Sequence, residues 1–101
     1  MSVELVEVVQ ARNASGGRQE FSLRKVYVNP EHVVCMRVDD LCSQKLNEGL
    51  LPEDLDPRTV FTKLYLNRGQ FGLDVTVVGD PVSIQRRIDE SVAKQKVLLK
   101  G

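Results

Sequence analysis

Two alternating stretches, TVFTKLYLNR from Thr59 and LDVTVV from Leu73, flank Gly69-Gln70-Phe71-Gly72, and Gly79-Asp80-Pro81 follows directly. Glycines reach the positive φ values that tight turns need, so the two stretches are predicted to form an antiparallel hairpin over that four-residue linker. Alternation then puts Thr62, Leu64 and Leu66 on one face opposite Leu73, Val75 and Val77, with Lys63 and Asp74 on the other. After the hairpin the period changes. Asp80 is a suitable N-cap and Pro81 suits a first helical position, while Ile84, Ile88 and Val92 recur every four residues along one stripe. A helix reaching to about Lys96 is expected. A hairpin with one apolar face, followed at once by an amphipathic helix, restricts the chain to a sheet with that helix packed on it.

The upstream half reads as strands of the same sheet. Val3 to Ala11 (VELVEVVQA) is rich in β-branched residues and stops at the turn cluster Asn13-Ala14-Ser15-Gly16-Gly17. Gln19 to Asn29 (QEFSLRKVYVN) is an extended partner with Phe21, Leu23 and Tyr27 on one side, interrupted by Lys25. Asn29-Pro30 marks a turn, because Pro30 donates no ladder bond and drives the preceding residue out of helical dihedrals. His32 to Val38 folds back, with Val34, Met36 and Val38 facing one way and Val33, Cys35 and Arg37 the other. A short helix is expected over Asp39 to Asn47 (DDLCSQKLN), capped by Asp39 or Asp40, anchored by Leu41 and Leu46 and ended by Gly49. Leu50 to Arg58 (LLPEDLDPR) is an irregular connection held down by Leu50, Leu51 and Leu55. The expected fold class is α+β: an antiparallel β-meander of about five strands with a C-terminal helix and a short helix in the 39–48 insertion. At 101 residues with 42% hydrophobic content, one domain spanning 1–101 is expected, enough to hide roughly two-thirds of its unfolded surface.

Most chemistry is unsupported by the inventory. The chain has one histidine, His32, and two cysteines, Cys35 and Cys42. His32 and Cys35 are an odd number of positions apart, so an extended segment sends them to opposite faces and no local dyad forms. His32 is expected in a surface turn and Cys35 in a small buried apolar site. The soft ligands are too few for a closed zinc site, and Asp39-Asp40 and Glu53-Asp54-Leu55-Asp56 lack the spacing of a calcium loop. The glycines around Gln70 join strand to strand and offer no helix N-terminus to a phosphate. Ser15, Ser22, Ser43, Ser83 and Ser91 lack a nucleophile-elbow setting. A non-enzymatic chain without cofactor or metal is expected. Two thiols, no leader sequence and no long apolar run point to a soluble cytoplasmic protein with no membrane span.

The charge is balanced, fourteen basic against fourteen acidic residues, but unevenly placed. Asp39, Asp40, Glu48, Glu53, Asp54 and Asp56 meet a single Lys45, whereas Arg12, Arg18, Arg24 and Lys25 surround one Glu20. Asp39, Asp40, Glu53, Asp54 and Asp56 therefore form a candidate acidic docking loop for a protein partner. Arg24, Lys63, Tyr65 and Arg68 are candidate nucleic-acid contacts, since a basic sheet face with an aromatic ring holds phosphates and stacks a base. One helix covers only part of one sheet face. Val26, Val28, Val33 and Val78 are accordingly expected to be uncovered, which predicts a homo-oligomer or a protein partner. The preferred functional reading is a small self-associating interaction or accessory module; the alternative is a regulator that binds RNA or single-stranded nucleic acid.

VYVNPEHVVCMR, FTKLYLNRG and LDVTVVGDPVSIQRRI, in that order, resemble the FlbD-type flagellar accessory proteins and similar small uncharacterised bacteriophage proteins. The likeness runs from about Lys25 to Ile88 and rests on Val28, Asn29, Pro30, Val34, Thr62, Leu64, Gly69, Val75, Pro81, Ile84 and Ile88. The N-terminal hairpin and the acidic stretch from Asp39 to Arg58 are additions, which favours the phage-like comparison. The resemblance implies an accessory role and carries no catalytic residues.

Overall fold

The computed structural model of the chain describes residues 2–11, 20–52, 55–68 and 71–100. In chain order these form strands β1 (Val3–Ala11) and β2 (Glu20–Val28), a 3₁₀ turn (Pro30–His32), strand β3 (Val33–Val38), helix α1 (Asp40–Asn47), strands β4 (Phe61–Arg68) and β5 (Phe71–Val78), and helix α2 (Pro81–Lys100). The five strands make one antiparallel sheet in the order β2-β1-β5-β4-β3. The α+β class, the five strands and both helices are as the sequence predicts.

The strand order departs from a linear meander at one junction. β2 and β3, adjacent in sequence, are the two edges of the sheet, and β1 instead pairs with β5, with Glu7 opposite Val77. Edges of a flat five-stranded sheet lie about 19 Å apart, four strand spacings of nearly 4.8 Å. Only Asn29 and the 3₁₀ turn join β2 to β3, and such a turn rises only about 2 Å per residue. The sheet therefore curls until its edges approach at that end.

The β4–β5 hairpin has the predicted register, Thr62 opposite Val77, Leu64 opposite Val75 and Leu66 opposite Leu73. Its strands run further than the turn residues suggest, pairing Asn67 with Gly72 and Arg68 with Phe71. Gly69 and Gln70 lie outside the described residues. At the other end of the hairpin Gly79 joins three elements. Its N–H donates to the Val60 carbonyl at 2.8 Å, and its carbonyl accepts from the fully buried Thr62 hydroxyl at 2.8 Å. Asp80 then caps α2 by accepting from the Ser83 amide at 3.2 Å.

Alternation divides the core between the two faces. On one, Ile84 and Ile88 of α2 cover Val3, Leu5, Val28, Leu64, Val75 and Val77, with Val26, Val33, Met36 and Leu66 packed around them. On the other, α1 and the segment after it bring Cys42, Leu46, Leu51 and Leu55 onto Val8, Phe21, Phe61 and Val78. The α2 core covers Val26, Val28 and Val33 and the second layer covers Val78, which overturns the expectation that these four are uncovered. All four pack against one core or the other, Val28 with only 4% of its surface exposed.

Two further expectations are corrected in β3 and α1. The β3–β4 register shifts between Val33 and Cys35, so that Val34 is an extra, bulged residue. Val33 thereby joins Met36 on the α2 face, and Val34 is 66% exposed. Cys35 is exposed rather than buried, because it faces away from α2 on an edge strand that the other layer does not cover. His32 is exposed in its turn, as predicted. In α1 the N-cap is Asp39, whose carboxylate accepts from the Cys42 amide at 3.1 Å. That cap sets the helix phase so that Cys42 and Leu46, four apart, meet the sheet, while Leu41 is 63% exposed and is not an anchor.

Candidate functional site

β3 is an edge strand, and its two neighbouring surfaces differ in character. The Asp39 N–H donates to the Phe61 carbonyl at 2.8 Å. In an antiparallel ladder residues two apart direct their backbone groups the same way, so Cys35 and Arg37 also face β4. Met36 and Val38 turn their N–H and C=O groups outward, and among the described residues no strand lies on that side. The side chains of Met36 and Val38 lie on the α2 side. There Met36, Pro81 and Val82 form the apolar part of a shallow groove rimmed by Gln85, Arg86 and Asp89 of α2, with Val82 67% and Val38 47% exposed.

The opposite side of the same edge is cationic. Arg37 stands directly across from Lys63, and Cys35 directly across from Tyr65. The Arg37 guanidinium lies over the Tyr65 ring, 5.7 Å from its centroid. Among the described residues neither Arg37 nor Lys63 has a carboxylate within 4.0 Å. Asp74 is opposite Tyr65 on β5, one strand further from the edge. Like charges directly opposite repel, so this pair raises the local positive potential next to the open backbone of β3.

Further in on that face, α1 leans over a small cleft lined by Val8, Phe21, Asp39, Leu41, Cys42, Lys45, Lys63 and Thr76. Lys45 covers the Phe21 ring at 4.7 Å. Asp39 is nearly buried and accepts from the Thr76 hydroxyl at 2.7 Å, which ties the start of α1 to β5. Burial lifts the Cys42 thiol from 9.0 to about 11; the Asp39 charge adds to the rise and Lys45 opposes it. The cleft therefore holds a protonated thiol and a carboxylate committed to structure. The thiol is thus the opposite of an activated one.

The residues singled out in the sequence do not assemble as two sites. Of the candidate nucleic-acid contacts, Lys63 and Tyr65 share the cationic face. Arg24 lies on the α2 side of β2 and pairs with Glu7 at 3.8 Å. Arg68 ends β4, and its side chain lies outside the described residues. Of the acidic set, Asp39 is spent on capping and Asp40 is exposed in the first turn of α1. Asp56 accepts from the Arg58 amide at 2.8 Å, and Glu53 and Asp54 lie outside the described residues. Arg37 is exposed on β3, as strand alternation predicts. Its alternation with the exposed strand positions was readable, but its partnership with Lys63 depends on the β3–β4 register that the bulge sets.

No group of three or more histidine, cysteine, aspartate or glutamate side chains that could hold a metal occurs among the described residues. No described helix is long and apolar enough to cross a membrane. Comparison with known proteins gives no matching family model, no matching curated protein and no matching solved structure.

Proposed function

We propose that this chain is a small non-enzymatic accessory module that grips another polypeptide, a second copy of itself or another protein, along β3. The observation that carries the reading is the open edge itself: outward backbone groups at Met36 and Val38 beside the exposed side chains of Val34, Val38 and Val82. An uncovered strand edge is a template for pairing unless it is blocked. The likeness to flagellar accessory and phage proteins supports a bacterial or bacteriophage process, and the free thiols Cys35 and Cys42 suit the reducing cytoplasm.

The test compares the natural chain with Val34→Lys and Val38→Lys. Size exclusion with light scattering reads self-association, and capture from the host reads other partners. Association lost in both variants, with the fold intact by circular dichroism, fits the reading. A monomer at high micromolar concentration whose captured proteins are unchanged by either substitution would refute it.

A second reading, binding of RNA or single-stranded DNA, draws on Lys63, Arg37 and Tyr65 sharing one face. A base would stack on Tyr65 only by displacing Arg37 from the ring. Retention of a single-stranded oligonucleotide at low salt, lost on reversing the charge of Lys63 and Arg68, would select this reading.

A further inference from the structure

The two sides of the β3 edge differ, and that difference describes a partner. A strand added to β3 bonds to Met36 and Val38. Residues of that strand lying opposite Met36 and Val38 send their side chains to the α2 side, into the groove of Met36, Pro81 and Val82. The residue between them lies opposite Arg37 and sends its side chain to the other side, beside Arg37 and Lys63. We infer that β3 takes up an extended acidic segment of another protein, with an apolar–carboxylate–apolar alternation, the carboxylate meeting Arg37 and Lys63. This deepens the proposed function and rests on the reading of β3 as the gripping edge.

Charge decides between this occupant and a second copy. Pairing β3 with the β3 of another copy brings two Arg37–Lys63 rows together. The other edge of the sheet, β2, carries Arg24 and Lys25, each 68% exposed in its side chain and paired with Glu7 at 3.8 Å and Glu4 at 3.5 Å. The β3 of a second copy therefore adds positive charge to a row that lacks a carboxylate, and its β2 brings cations already paired, whereas an acidic segment supplies a carboxylate. The window is short. The bulge at Val34 ends the regular ladder on one side and α1 begins at Asp40 on the other, leaving Cys35 to Val38. A docked segment of this length makes few bonds, so exchange with its partner is fast.

The test uses the full chain and two labelled, end-blocked peptides of about seven residues, one alternating valine and glutamate, the other valine and lysine, followed by fluorescence anisotropy. The acidic peptide is expected to bind roughly tenfold or more tightly than the basic one at about 50 mM salt and to weaken as salt rises. Arg37→Glu should invert the preference. Val38→Pro removes an outward N–H that β4 does not use, so it should abolish binding of the acidic peptide while the thermal transition persists. If Val38→Pro does not fold, the inversion by Arg37→Glu decides alone. Equal binding of the two peptides, or acidic binding indifferent to Arg37→Glu, overturns the inference. A dimer dispersed by Val38→Lys with no peptide bound also overturns it, assigning the edge to a second copy and leaving the proposed function standing. Neither peptide binding nor association through β3 removes both, as does a single-stranded RNA bound through Arg37 in their place.

Discussion

Asp39 ties the start of α1 to β5 with one carboxylate. It ends β3, caps α1 through the Cys42 amide and accepts from Thr76 of β5. Asp39→Ala leaves a partly buried hydroxyl and a helix amide without their partner, a loss of about 1–3 kcal/mol in denaturant unfolding. Asp39→Asn keeps an acceptor for the cap and should recover much of that. The two cysteines differ as sharply. Cys35 is exposed, while Cys42 is buried with its thiol raised to about 11. At pH 8 a group of that pKa is thiolate in about one molecule in a thousand, so an aromatic disulfide reagent should label one thiol quickly and the second only slowly. The unfolded chain releases the Cys42 proton near 9.0 and the folded chain near 11, so between those values the folded state binds more protons and stability falls as pH rises. Cys42→Ala should lose less stability than the natural chain between about pH 8 and about pH 10 in parallel denaturant titrations. An equal loss would place the alkaline sensitivity elsewhere.

At the scale of elements, the junction between β5 and α2 depends on Gly79. Its φ is +120°, and a Cβ there would stand 3.2 Å from the Ile84 Cδ1. Gly79→Ala therefore meets backbone strain and a crowded core residue together, and should lower stability by roughly 1–3 kcal/mol. The Thr62–Gly79 bond is separable from that effect. Thr62→Val keeps the shape but leaves the Gly79 carbonyl unpaired, and about 1–2 kcal/mol should be lost. The Asp80 carboxyl is held below its ordinary range by the hydroxyl and amide of Ser83. Protonation at acid pH weakens this cap, so its contribution is present above the ordinary carboxyl value and disappears as pH falls through the lowered one. Asp80→Asn should remove that acid dependence while retaining the cap, read from helix signal against pH.

Over the whole molecule, what was legible in the sequence follows the distance over which each feature is determined. The β4–β5 register, the Asp80 cap and the Ile84–Ile88 stripe are set within a few residues of themselves, and the residue pattern identified each one; for the α1 cap it left Asp39 and Asp40 as alternatives. The bulge at Val34, the exposure of Cys35 and the Arg37–Lys63 row depend on how β3 meets β4, across the whole acidic insertion. The β1–β5 pairing spans some seventy positions, from Glu7 to Val77, and no local pattern encodes it. This pairing has an energetic consequence, because it makes β1 a central strand and brings Leu5, fully buried, under α2 while Val8 lies under the α1 layer. Both cores thus share β1. Leu5→Ala should cost about 2–5 kcal/mol, whereas Leu73→Ala, at a position 56% exposed near the hairpin tip, should cost far less. Because the two layers share one sheet, loss of the α2 core also removes the floor beneath Cys42. Exposure of the Cys42 thiol and loss of far-ultraviolet helix signal should follow one denaturant curve in the natural chain, and both should shift together in Leu5→Ala. Thiol exposure at lower denaturant than the loss of helix signal would mean that α1 and its layer detach before the sheet unfolds. The curled sheet would then carry two separable covers rather than one cooperative core.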